Sequence, residues 1–313
     1  MSLANGIFKN IQLFQRTIDI IKIIVHNMKM NYTVLDTSEK IQYFLKSLHS
    51  VTKIAVDFES ESNLHIYGEH LCLVQIFDGE NYYLLDPRSG AVSEKDIVDF
   101  LTHPIEKVWF SVSSDHALVY KKYNTKITNI FDIRALALTL GFEGNLTSLV
   151  KEYLNVESDI SNKKALQKTN WLRRPLSTEQ IDYALSDVEH LLTLQTLLQT
   201  KVTDKKLEKE AQRQLKKAHE VSHGKPGWTK LCNWKKLTKE QQSQLKEYFL
   251  ARDSVAKKNN VPAHLVLAKD KVVELGKTCP KTEHAMLKIV GIMNIRFAQS
   301  LKKALSEAFS KLN

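Results

Sequence analysis

The sequence predicts an α/β fold, a mixed sheet with flanking helices, followed by a small all-helical domain. Three observations carry this reading. Between residues 30 and 200, runs that alternate apolar and polar residues interleave with runs whose apolar residues recur every three or four positions. Beyond residue 230 the strand pattern stops and only helical spacing remains. The charge also changes sign along the chain: residues 30–200 carry a net −7 and residues 201–313 a net +14, within an overall +10. At 313 residues, 43% hydrophobic and 26% charged, the composition is globular and the length exceeds one small core, so two domains are expected.

Residues 1–29 come first as an amphipathic extension, with Ile7, Ile11, Phe14, Ile18, Ile21 and Val25 spaced alternately by four and three. A targeting segment, a partner-docking helix and an upstream extension of a chain beginning near Met28 or Met30 all fit it. Asp36 with Glu39 predicts an N-cap for a helix carrying Ile41, Phe44, Leu45 and Leu48. Strands are expected at Lys53–Glu59, Leu71–Phe77 and Tyr82–Asp86, the last two joined by an Asp78-Gly79-Glu80-Asn81 turn, as an antiparallel meander. A helix at Lys95–Leu101, a strand at Lys107–Ser111, a helix at Ser114–Tyr123 and helices from Asp132 through Leu154 follow. Ser177 with Gln180 forms a capping box that opens a long helix running to about Leu198. The Lys-rich stretch broken by Gly224, Pro226 and Gly227 reads as a linker. The domain boundaries expected are therefore 30–203, a basic linker at 204–230, and 231–313 as four or five short helices.

Composition excludes several classes. The most apolar run, Ile18 to Val25, is short and broken by Asp19 and Lys22, so no membrane span is expected. Cys72, Cys232 and Cys279 lie far apart without metal-ligand spacing, which supports neither a disulfide framework nor a zinc site and points to a reducing compartment. The basic segment points to a polyanionic partner, against the alternative of a solvated lysine-rich surface.

Chemistry concentrates in acids. Asp57 and Glu59 are two apart on a strand, so their carboxylates share one side while Ile54, Val56 and Phe58 face the other. Acids are rare in strand interiors, and a covered pair needs a compensating cation; all-oxygen ligands suit Mg²⁺ or Mn²⁺. A strand end with both acids in water is the competing reading. Tyr183 and Asp187 are four apart on a helix, an arrangement that an ordinary surface pair also produces. Asp115, after the strand Val108–Ser111, adds a fourth acid at an element end. Four such charges converging would be balanced by two divalent cations, the arrangement of two-metal phosphodiester chemistry.

These residues carry a resemblance. Val56-Asp57-Phe58-Glu59, Leu73-Val74-Gln75-Ile76-Phe77-Asp78-Gly79, Ser114-Asp115 after Val108-Trp109-Phe110, and Asn129-Ile130-Phe131-Asp132 follow in order. So do Lys164-Ala165-Leu166-Gln167-Lys168-Thr169-Asn170-Trp171, Arg174-Pro175-Leu176 and Gln180-Ile181-Asp182-Tyr183-Ala184-Leu185-Ser186-Asp187-Val188. Over residues 30 to 200 the set resembles the ribonuclease D family, in the tyrosine subgroup of the DEDD 3′–5′ exonucleases. In the tail, Trp234, Ala251-Arg252-Asp253, Asn260-Val261-Pro262, Leu267, Asp270, Pro280 and Leu287 resemble a single HRDC domain, where the family often carries two. Ser158–Lys163 reads as an insertion, and Ser111-Val112-Ser113 replaces the family's His-containing run.

The resemblance implies a ribonuclease H-like mixed sheet and a cytoplasmic 3′–5′ exoribonuclease that releases nucleoside 5′-monophosphates. Asp57, Glu59, Asp115 and Asp187 would hold two Mg²⁺ or Mn²⁺ ions, Tyr183 would orient the attacking water, and Asp132 would be structural. Lys164 and Gln167 are expected as substrate contacts, with a solvated loop as the competing reading. The implied partner is RNA with a free 3′ end, tRNA precursors among them, with no membrane and no small-molecule cofactor beyond metal. A DNA 3′–5′ exonuclease and a non-catalytic nucleic-acid-binding protein are the alternatives. Retention of all five motif residues argues against the latter. His116, His190 and the run from His223 to Gly227 lack the spacing of a ligand set or phosphate loop.

Overall fold

The computed structural model describes residues 32–157, 162–220, 226–291 and 293–312. The amphipathic extension at 1–29, most of the expected insertion and His223–Lys225 lie outside the described residues. The described residues divide into two compact units, one within residues 1–60 and 70–222, the other within residues 61–69 and 223–313.

The first unit is built on a six-stranded sheet: β1 (Tyr32–Leu35), β2 (Lys53–Ser62), β3 (Glu69–Phe77), β4 (Tyr82–Leu85), β5 (Glu106–Trp109) and β6 (Ile130–Asp132), in the order β1-β4-β3-β2-β5-β6. β3 and β4 are antiparallel, while β1–β4, β2–β5 and β5–β6 are parallel, which is the expected mixed sheet. The expected meander occupies the middle; the edge strands β1 and β6, four and three residues long, are additions to it.

Strand alternation sorts the core. Ile54, Val56 and Phe58 of β2 pack in one cluster with Ile41, Phe44, Ile97 and Phe100, from helices α1 (Ser38–Ser47) and α2 (Glu94–Thr102). α3 (Ser113–Tyr123) adds Leu118 and Val119. Ala55 and Val108 face the other way, against α4 (Ile133–Thr139), α5 (Leu146–Leu154), α8 (Leu191–Asp204) and α9 (Glu208–Ala218). Between them in sequence lie the short α6 (Lys163–Leu166) and α7 (Thr178–Ser186).

Four local expectations change. The cap of α1 is Thr37, whose hydroxyl accepts from the Lys40 N–H, while Asp36 pairs with the Lys40 ammonium at 2.6 Å. β5 ends at Trp109, two residues before the expected limit, because the chain turns there into the loop before α3. The Ser177–Gln180 capping box forms, but the helix it opens stops at Ser186 and a second begins at Leu191. Across the break Asp187, Val188 and Leu191 each donate to the carbonyl three residues earlier, so the backbone tightens into turns while the apolar spacing continues. The expected linker contains α9, with Ala211 buried and Leu207 and Leu215 packed on the cluster around Leu194 and Leu198.

Among its described residues, the second unit is helical after residue 226: α10 (Lys239–Lys258), α11 (Ala263–Val266), α12 (Lys269–Thr278), α13 (Glu283–Val290) and α14 (Ala298–Leu312). α10 and α14, at 20 and 15 residues, are longer than the short helices expected. Leu245, Tyr248, Val255, Val272, Leu275, Met286, Leu301 and Leu305 form its core. Gly276 lets α12 approach α10 closely, since a Cβ there would lie 2.7 Å from the Leu245 Cβ. In the same unit the Tyr67 hydroxyl donates to Asp253 at 2.6 Å.

Candidate active site

Asp57 and Glu59 project from β2 on the side opposite Val56 and Phe58, as the period of a strand dictates. Asp115 sits in the first turn of α3, where Trp109 Nε1 donates to its Oδ2 at 3.1 Å. The turn before α3 is held in place by a fifth acid. Ser111 adopts a left-handed φ of 68°, a conformation that costs a non-glycine residue on the order of 1 kcal/mol or more. Asp132 fixes it: its carboxylate accepts from the Ser111 N–H at 2.8 Å, the Val112 N–H at 3.1 Å and the Arg134 N–H at 2.9 Å. Asp132 is thus a backbone clamp, with its oxygens committed to main-chain donors.

Asp187 is the C-cap of α7, one turn after Tyr183, and the helix break follows it immediately. Carboxylate oxygens of Asp57, Glu59 and Asp187 lie within 4.8 Å of one another. With Asp115 and Tyr183 they line one cavity of about 650 Å³, and Lys164 and Gln167 lie on its wall. All seven residues singled out in the sequence therefore meet in one place. Lys163, Asn145, Thr147, Ser114 and Phe110 join them without having been singled out. Asn145 caps α5, accepting from the Ser148 N–H at 2.9 Å. His116 and His190 do not line the cavity.

The negative charge of this cluster is only partly compensated. Burial, and then the charges of Asp115, Asp187 and Glu59, hold the Asp57 carboxyl well above the usual carboxylate range. Burial followed by repulsion from Asp187 and Asp115 does the same to Glu59. Asp115 is pushed up to about 7 by burial, with the Trp109 hydrogen bond opposing and the Asp132 charge adding. Burial also raises Asp187, opposed by the Lys163 charge and a hydrogen bond from Tyr183. Burial, then the charges of Asp187 and Glu59, drives the Tyr183 hydroxyl far above its ordinary value. Asp57, Asp115 and Asp187 keep part of their surface open to the cavity although protein atoms crowd around them. Hard oxygen donors, crowded, buried and short of positive charge, fit divalent cations of the Mg²⁺ class.

A family model described as 3′-5′ exonuclease matches residues 32–203. Ribonuclease D of Zymomonas mobilis is 26% identical over 263 residues, covering 82% of this chain and 66% of that protein. Ribonuclease D of Haemophilus influenzae is 27% identical over 248 residues, covering 76% and 61% respectively. The chain thus spans less than two thirds of the length of these curated relatives. The crystal structure of Escherichia coli RNase D, described as an exoribonuclease involved in structured RNA processing, matches with a TM-score of 0.67 at 22% identity. That match covers 89% of this chain and 75% of the other, and it shows a shared fold. With the carboxylate-lined cavity lying inside the matched region, and that region making up more than half of its length, the chain belongs to the 3′-5′ exonuclease family.

Proposed function

We propose that this protein is a divalent-metal-dependent 3′–5′ exoribonuclease that hydrolyses the terminal phosphodiester and releases nucleoside 5′-monophosphates. The observation that carries the reading is the convergence of Asp57, Glu59, Asp115 and Asp187 in one cavity with Tyr183. These four carboxylates would hold two cations, Mg²⁺ or Mn²⁺. Bound there, such cations supply a hydroxide near neutral pH and stabilise the leaving 3′ oxygen. Tyr183 keeps its proton at neutral pH, because burial and two neighbouring carboxylates disfavour its anion. Its role is therefore to hydrogen-bond and orient the water, not to remove a proton. Lys164 and Gln167, on the cavity wall, contact the substrate backbone.

The substrate class is RNA with a free 3′ end, tRNA precursors included. The net +14 of residues 201–313 supports a polyanionic partner. We assign residues 30–203 to the exonuclease domain and residues 231–313 to an HRDC-like domain that adds RNA affinity, joined by a basic segment at 204–230 containing α9. Among the described residues no helix is long and apolar enough to cross a membrane, and no disulfide forms among them. A reducing cytoplasm fits.

The test uses matched 5′-labelled single-stranded RNA and DNA, each with a free or blocked 3′ end, in Mg²⁺, Mn²⁺ or chelator. Metal-dependent shortening from a free RNA end is expected. Shortening of DNA alone would move the reading to a DNA exonuclease, and binding without degradation in either metal would leave a non-catalytic scaffold.

A further inference from the structure

The cavity has two kinds of wall. Most of its lining is polar, but Phe110 and Leu146 bring apolar side chains to it. Phe58 also borders it, yet that ring packs against Trp109 in the opposite cluster, with centroids 4.9 Å apart.

Phe110 directly follows β5, and the side-chain alternation of the strand holds through it. Val108 and Phe110 pack with the cluster containing Ala55, and Trp109 between them turns to the other one. The Phe110 ring therefore stands on the sheet face that carries Asp57 and Glu59. It is half-buried, and a cation lies over one of its faces. The Arg134 guanidinium lies 5.7 Å from the ring centroid, and Arg134 Nη1 is tied to the Gly144 carbonyl at 3.1 Å. Leu146, the first residue of α5, is half-buried on the same cluster and lines the cavity beside it. An aromatic ring with a cation over one face, half-buried and lining a site for a phosphodiester, suits a flat π system linked to a phosphate.

We propose that Phe110, with Leu146 beside it, is the stacking platform for the nucleobase of the 3′-terminal nucleotide. The proposal rests on the exonuclease reading of the same cavity and adds to it the group that recognises the base. Every base has a π face, so the platform accepts all four and grades them by stacking, purines above pyrimidines, with a terminal residue lacking its base poorest of all. Lys164 and Gln167 then answer to the backbone, and Phe110 to the base.

The experiment compares equilibrium binding of adenosine 5′-monophosphate and ribose 5-phosphate in Mg²⁺. Wild type is expected to hold the nucleotide about 10-fold more tightly than the sugar phosphate, the scale of one base–aromatic stack. Phe110→Ala should bring that ratio close to one while leaving ribose 5-phosphate affinity in place, and Phe110→Tyr should keep the ratio. Phe110→Leu, which preserves packing against the core, should lower it at least 3-fold and serves if the alanine variant does not fold. A wild-type ratio of one, or a ratio unchanged in a folded Phe110→Ala or Phe110→Leu protein, overturns the platform. Failure of the wild type to shorten any RNA would overturn the exonuclease reading instead, since the nucleotide preference is read without turnover.

Discussion

Asp86, Asp96 and Asp132 are as buried as Glu59, all four at 4–7% exposure, yet only the first three have their charge answered by donors within the protein. Asp86 takes two bonds from the Arg174 guanidinium, at 2.5 and 2.6 Å. At Asp96, burial pushes the carboxyl up, but hydrogen bonds from Ser38, Ser93 and Gln42 win and bring it down to about 2. Asp132 accepts from three backbone N–H groups, which oppose but do not overcome the upward push of burial on its carboxyl. Glu59 and its neighbours Asp57, Asp115 and Asp187 face one another across a cavity, and their carboxyls are all raised. The first set holds loops and helix starts in place. The second lacks enough positive charge of its own, and that shortage is what supports the proposal that it is the working site.

The widest separation between the two sets comes from removing one member of each. Asp57→Ala should reduce 3′ trimming about 1000-fold or more, roughly 4 kcal/mol of lost transition-state stabilisation, with a melting curve no lower than wild type in chelator. Trimming within 10-fold of wild type would mean Asp57 is not part of the metal site. Asp132→Ala should do the opposite. Three backbone donors lose a charged acceptor and Ser111 loses its clamp, so stability should fall by roughly 2–4 kcal/mol. Chemical denaturation reads this directly, and a change below about 1 kcal/mol would show that the Ser111 turn holds without it. Next in size, Tyr183→Phe should lower kcat about 10- to 100-fold without weakening metal binding if, as proposed, the lost hydroxyl orients a water. A matching loss of metal affinity by calorimetry would make Tyr183 a structural support instead.

The two sets also differ in how legible they were. Asp57 and Glu59 stood out because acids in a strand break the expected composition, and a period of two fixed their common side. Asp187 was found through its spacing from Tyr183, yet the helix break at 187–190 was hidden because apolar residues keep helical spacing across it. β1 and β6 are too short for alternation to register. α9 reads as linker because its lysines and glutamates outnumber the Leu207, Ala211 and Leu215 that pack inward. Phe110, Lys163 and Asn145 reach the cavity only through tertiary folding, so local pattern does not mark them. The clamp at Asp132 needed the resemblance, since two of its three partners are backbone atoms about twenty residues away.

The finest test of the comparison is a change of sign. A carboxyl raised in the folded state keeps its proton while the unfolded chain, titrating near roughly 4, gives its proton up. Stability contributed by such a group therefore falls as pH rises through the window between those values, which for Asp115 runs up to about 7. Asp96, lowered to about 2, contributes in the other direction, losing its stabilisation as pH falls toward that value. Glu59→Gln removes one charge from the crowded set while keeping its shape. In chelator at pH 7 it should raise stability on the order of 1 kcal/mol, about 2–4 °C in melting temperature. Added Mg²⁺ should stabilise wild type and do much less for the variant, because binding to the folded state alone shifts the equilibrium by mass action. The order of the two melting temperatures should then narrow or invert. A variant that melts below wild type in chelator would mean that Glu59 is satisfied inside the protein after all, and it would move from the second set of acids to the first.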